Sequence, residues 1–148
     1  FEAIVEQEML DHQKSDFDFD PERDVGTTLQ EFGQTYIEVL CRPGGGSAIR
    51  TVMAIAERMP EVGQRYYEHR LEKTVNRLAS YLEAHVQAKE LAVEECQLAA
   101  SQFMQMCQAS LFLPFIFQAA PPPSTERIAH VVGSATRMFL AAYQAKPA

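Results

Sequence analysis

Four histidines, three cysteines and a central set of tyrosines and methionines are the residues of this chain most able to do chemistry, and their spacing argues against catalysis. A di-metal site in a helical bundle takes Glu-x-x-His on facing helices. None of His12, His69, His85 and His130 has a Glu three residues before it. Neither H-E-x-x-H, G-x-S-x-G nor G-x-G-x-x-G occurs, so metalloprotease, hydrolase and dinucleotide readings lose their usual support. No metal, no cofactor and no catalytic residue is expected. His69 and His85, on one long helix, read as surface or boundary residues. Arg50 and Glu57, seven apart, read as a structural pair in preference to a charge aimed into a cavity.

Cys41, Cys96 and Cys107 are odd in number and lack C-x-x-C spacing, which fits reduced, buried thiols better than a disulfide framework or zinc site. Nothing near them promises the lowered pKa of a redox sensor. Tyr36, Tyr66 and Tyr67, with Phe32, Phe103, Met53 and Met104, suggest an aromatic and methionine-rich interior. Such a set forms either plain core or the wall of an adaptable small-molecule cavity, tyrosine supplying a hydroxyl and methionine an easily reshaped side chain.

The elements that must position these residues are helices. Strand signals are nearly absent, and 3.6-residue periodicity recurs between Pro and Gly punctuation, which predicts an all-α fold of about six helices. The first covers Phe1 to about Lys14 and starts without a cap. Pro21 fits the first turn of a second, in which Val25, Leu29, Phe32, Tyr36 and Leu40 share a face. The Gly44-Gly45-Gly46 connector follows, with neither the strand nor the Lys-Ser/Thr of a phosphate-binding loop. Ser47 can cap a third helix that ends near Met59.

Pro60 opens a long fourth helix with Tyr67, Leu71, Val75, Leu78 and Leu82 as its stripe. The fifth, Leu91 to Phe117, places Cys96, Ala100, Phe103, Cys107 and Leu111 on one side, and Pro114 should kink or end it. Its last turns are apolar all round, more than one core face needs. Ser124 precedes a sixth helix that carries Ile128, Val132, Ala135, Phe139 and Tyr143. Gly133 inside it, at a cost of about 1 kcal/mol against Ala, is either a point of close helix approach or a tolerated exposed glycine.

With 148 residues and 47% hydrophobic content, one compact domain suffices. No apolar run approaches the roughly 20 residues of a membrane span, and three Glu without a basic region in the first ten residues argue against a secretory signal. A cytoplasmic location without membrane contact is expected. The net charge of −7 is uneven: Phe1 to Asp24 holds nine acids and two bases, and the remainder eleven of each. No basic stripe is present to neutralise phosphates, so these residues by themselves should not grip DNA.

The segments Phe1-Glu-Ala-Ile-Val-Glu, Arg50-Thr-Val-Met-Ala-Ile-Ala-Glu-Arg-Met-Pro-Glu-Val, Tyr66-Tyr-Glu and Phe139-Leu-Ala-Ala-Tyr143 together resemble the C-terminal regulatory domain of TetR/AcrR-family transcriptional regulators. Across essentially the whole chain, helix order and lengths agree. The third-helix segment with the following Tyr-Tyr-Glu is similar to a pattern of the AefR-like branch. Ala142 departs from it, since many relatives carry Gly there.

The resemblance implies a helix-turn-helix domain before Phe1, with residues 1–14 as the linking helix and 21–148 as the ligand-binding and dimerising body of one domain, 1–148. It implies a bacterial regulator, usually a repressor, that touches DNA only through that preceding domain and is switched by a small apolar or aromatic effector. By position it suggests Phe32, Tyr36, Met53, Glu57, Tyr67, Leu71, Phe103 and Cys107 as ligand-binding residues. It also implies a homodimer in which the last two helices of each subunit form half of a four-helix bundle. Leu111, Phe112, Phe115, Ile116, Ile128, Val131, Ser134, Ala135 and Met138 are then the interface candidates. The rival from another class is an all-helical small-molecule-binding protein or enzyme without DNA function; a third reading is an oligomerising module with a filled interior.

Overall fold

The computed structural model describes residues 17–147, so the helix expected over Phe1 to Lys14 lies outside the described residues. Within them the fold is all-helical, with one isolated backbone bridge between Leu91 and Gln144. Helix α1, Val25–Leu40, begins four residues after Pro21. Asp24 holds extended backbone there and its carboxylate accepts the Thr27 N–H at 2.9 Å, the geometry of an N-cap, so Pro21 is left in the preceding turn.

Gly44, at φ +79°, reverses the chain into α2, Gly46–Ile55. Ser47 lies inside α2 and does not cap it; its carbonyl accepts the Thr51 hydroxyl at 2.8 Å. Arg50 donates to the Ile116 carbonyl at 3.1 Å, while Glu57 is exposed beyond the end of the helix, so the expected pairing of these two charges is replaced by a tie between α2 and the backbone at Ile116.

The long fourth helix is a rod in three parts: α3, Pro60–Tyr66, a π-helical turn, Tyr67–Glu72, and α4, Lys73–Gln87. Pro60 and Glu61 occupy its first turn, where a missing N–H and a negative charge are both tolerated. The π turn admits one extra residue and re-phases the side chains around it. Tyr66 and Arg70 are thereby buried, and Tyr67 is 53% exposed, against its expected place on the buried stripe. At the far end His85 is buried too, with Nδ1 2.9 Å from a Glu90 carboxylate that folds back over it; His69 is exposed.

The expected fifth helix is shorter at both ends. Leu91 to Val93 runs extended because Ala92 N–H donates to the Tyr143 carbonyl at 2.8 Å, and α5 covers Cys96–Gln108. The chain then breaks at Ser110, which takes φ 62°, before α6, Phe112–Ile116. Pro114 sits within the first turn of α6, where its lacking donor costs nothing, so the break falls ahead of the proline and not at it. Ser124 caps α7, Thr125–Tyr143, by accepting the Arg127 N–H at 3.1 Å.

Helix α1 packs on α7, α4 on α5, and α5 on both α1 and α7. The tight crossing is at Gly33, where a Cβ would lie 2.6 Å from Val132 Cγ1 and 3.0 Å from Cys107 Sγ. Gly133 is not the point of approach: a Cβ there meets Arg137 and Gln30 atoms only at 3.5 Å, so it reads as a tolerated glycine.

Candidate ligand-binding site

At Leu40 and Tyr36, the end of α1 stops filling the interior. The Gly-rich turn carries α2 away from it, and between α1, α2, the α3–α4 rod, α5 and α6 lies a cavity of about 420 Å³. That volume falls in the range of small-molecule sites. Tyr36 and Leu40 come from α1; Ile49, Val52 and Met53 from α2; Tyr66, Tyr67, Leu71 and Val75 from the rod; Ser101, Met104, Gln105 and Gln108 from α5; and Phe112 from α6. The π turn places Tyr66 and Tyr67, adjacent in sequence, both on the wall, one buried and one exposed at the rim beside Met53.

Polar groups on this wall are few, and none of its residues is Asp, Glu, Lys, Arg or His. The Tyr36 hydroxyl accepts a hydrogen bond from Gln108 Nε2 at 2.7 Å. Burial pushes the Tyr36 phenol up to about 12, a little offset by the Gln108 bond, so it stays a neutral hydroxyl at any physiological pH. The Arg70 guanidinium lies 5.8 Å from the Tyr66 ring centre and is not among the lining groups.

Of the eight ligand-binding candidates, Tyr36, Met53, Tyr67 and Leu71 line this cavity. Phe32, Phe103 and Cys107 do not: they are buried in the core behind the wall, Phe32 stacked on Tyr36 with centroids 5.8 Å apart and Phe103 6.4 Å from Phe32. Glu57 is exposed outside it. Periodicity missed Gln108 and Gln105, polar residues half-buried or exposed on α5, and Phe112, hidden in the run assigned to subunit contact. The one available signal for Gln108 was its place one residue after Cys107 on a helix whose other face is core.

The core extends from Phe32 toward the start of the described chain. Phe17 and Phe19 pack on it with centroids at 5.7 and 5.1 Å, and Arg77 and Tyr81 of α4 hold the backbone carbonyls of Phe17 and Arg23. A continuous aromatic path therefore joins the cavity wall to residues 17–19.

Of the subunit-contact candidates, Leu111, Phe115, Ile116, Ile128, Val131 and Ala135 are buried inside this protomer, because α6 folds back onto the core and α7 turns that face to α1 and α5. Phe112 and Ser134 are half-buried, and Met138 is 58% exposed. Large apolar side chains exposed away from the cavity are Leu113 and Phe117 at α6, Met138 on α7 and Leu98 on α5; Phe117 is 77% exposed.

Burial raises the thiols of Cys41 and Cys96 to about 11 and that of Cys107 to about 12, so thiolate chemistry at neutral pH is suppressed. Among the described residues no helix is long and apolar enough to cross a membrane.

The family model of the AefR-like transcriptional repressor, C-terminal domain, matches residues 27–145. No curated protein matches. Three solved structures are similar. The Flavonoid-responsive Regulator FrrA is 23% identical, with a TM-score of 0.85 over 99% of this chain and 74% of that one. A TetR-family transcriptional regulator from Mesorhizobium loti is 20% identical, with a TM-score of 0.78 over 97% of this chain and 69% of that one. Another, from Pseudomonas syringae pv. tomato, is 19% identical, with a TM-score of 0.74 over 97% and 73%. At these identities the structures establish the shared fold, and the match over residues 27–145 establishes the family: this chain belongs to the AefR-like C-terminal domains of TetR-family transcriptional regulators.

Proposed function

We propose that this domain senses a small apolar or aromatic effector in the cavity between α1 and α6 and couples its binding to the DNA affinity of a helix-turn-helix domain in the same protein, as a cytoplasmic, dimeric bacterial repressor. The observation that carries the reading is the cavity of about 420 Å³ itself, walled by three tyrosines, two methionines and aliphatic groups while the core beside it is densely filled. Grooves of similar volume elsewhere on the described residues each carry at least one charged side chain, and this one carries none; an apolar wall with a few polar groups is the usual composition of a small-molecule site.

Sensing needs no bond-making step, in keeping with a family of transcriptional regulators and a wall without a nucleophile–base pair. An effector must bind one conformation better than the other, and a coupling of roughly 1–3 kcal/mol is typical. The path from Tyr36 through Phe32 to Phe17 and Phe19, at the start of the described residues, is the route we assign to that coupling. The subunit contact is assigned to the exposed side chains Leu113 and Phe117 of the α6 segment, with Met138 on α7, since a second copy would cover apolar surface that the protomer leaves in water.

Thermal-shift screening of the domain against apolar and aromatic compounds tests the sensing role. A pocket gains stability as RT ln(1 + [L]/Kd), and a midpoint unmoved by every compound defeats the proposal.

A further inference from the structure

Resting on the reading of this cavity as the effector site, the geometry points to a neutral aromatic effector that carries an uncharged acceptor oxygen of carbonyl type, read by the Tyr36 hydroxyl that Gln108 orients. Three features of the wall select this class.

Charge is the first. None of the lining side chains is acidic or basic, so an ionised ligand would give up water without a charged partner in contact with it.

Direction is the second. A phenol hydroxyl has one proton to donate as well as oxygen lone pairs to accept with. At Tyr36 the oxygen accepts from Gln108 Nε2 at 2.7 Å, the one hydrogen bond at this hydroxyl among the described residues, which leaves the proton to be given. The raised phenol, up to about 12, keeps that proton in place. A buried donor with no acceptor is costly, so a ligand that brings an acceptor oxygen gains more here than one that brings a second donor. Shape is the third: the Tyr36 ring stands within 5° of parallel to Phe32 behind it, so its hydroxyl is held by stacking on one side and by Gln108 on the other. Tyr36 is thus a specificity-determining residue, and Gln108 positions it.

A matched set of rigid tricyclic probes tests this by calorimetry on the whole domain: 9-fluorenone, with a neutral carbonyl; fluorene, which lacks it; and 9-fluorenone-2-carboxylate, which adds a negative charge. Fluorenone is expected to bind most tightly, with fluorene roughly threefold to tenfold weaker, the factor of one neutral hydrogen bond, and the carboxylate weakest. Tyr36→Phe, which keeps the stacked ring, should bring fluorenone down to the affinity of fluorene and leave fluorene unchanged. Its fold is verified by an unchanged circular dichroism spectrum and cooperative melting; should it fail to fold, Gln108→Glu should bring the ratio of fluorenone to fluorene affinity toward one, because a carboxylate there takes the Tyr36 proton away from the ligand while its charge weighs on both probes alike. Equal binding of fluorene and fluorenone, or tightest binding of the carboxylate, overturns the inference while leaving the effector site standing. Binding of none of the three removes the site and the inference together.

Discussion

Phe32 and Tyr36 lie one turn apart on α1 with their rings 5.8 Å apart and within 5° of parallel, one facing the core and the other the cavity. The pair marks the boundary between the filled and the open interior. Phe32 also carries Phe17 and Phe19, so one ring separates Tyr36 from the first described residues of the chain.

Phe32→Ala should therefore act on stability and on ligand binding together. Removal of a buried aromatic ring from a packed core costs about 3–5 kcal/mol. Urea denaturation should show that loss, and ligand affinity should fall as well because Tyr36 loses the surface it rests on. A stability loss with ligand affinity unchanged would disconnect the two rings.

The two mid-helix glycines should respond in opposite directions. Gly33→Ala puts a methyl within 2.6 Å of the β-branched Val132, which cannot swing aside freely, and overpacking of this kind costs about 1–3 kcal/mol, against the helix-propensity gain of about 1. Gly133→Ala meets only ordinary contacts and should be neutral or stabilising by up to about 1 kcal/mol. Paired chemical denaturation of the two variants checks the sign of each.

The helical pattern, its punctuation by proline and glycine, and the core stripe of α1 were legible in the sequence because each depends on local spacing alone. Three things were not. The π turn at Tyr67–Glu72 inserts one residue into a repeating pattern, and a periodicity that assumes 3.6 residues per turn runs straight through it, which is why Tyr67 and not Tyr66 was assigned to the buried face. Phe32, Phe103 and Cys107 share helix faces with cavity residues, and the depth along a face at which core gives way to cavity is set by where other helices end. The apolar run Leu111 to Phe117 is divided between core and surface by the break at Ser110, a left-handed residue that no local pattern announced.

That division makes a sharp prediction for assembly. Leu113 and Phe117 are exposed, so Leu113→Glu with Phe117→Glu should leave protomer stability within roughly 0.5 kcal/mol per site while halving the mass seen by light scattering at tens of micromolar. Phe115→Glu, one of the buried neighbours, should instead unfold the protein. A double variant that remains dimeric would move the subunit contact elsewhere.

The cysteines predict a behaviour at high pH. Burial holds the three thiols neutral up to about 11 or 12, against 9.0 for a free thiol, so the protonated form is what the fold favours. Their contribution is fully present below pH 9 and declines as pH rises toward 11 and 12. Melting temperature should fall over that window, less steeply in Cys107→Ala, and a thiol reagent at pH 7 should label the native protein far more slowly than the denatured one.

The open cavity is tested most directly by calorimetric titration of fluorenone into the wild-type domain and into Ser101→Trp, which fills the cavity from the α5 side. The expected result is saturable binding to the wild type at one site per chain and its loss in the filled variant, with the variant's melting temperature at or above the parent's. Equal heats from both proteins, or none from either, would show that the space beneath Tyr36 is not where this domain receives its effector.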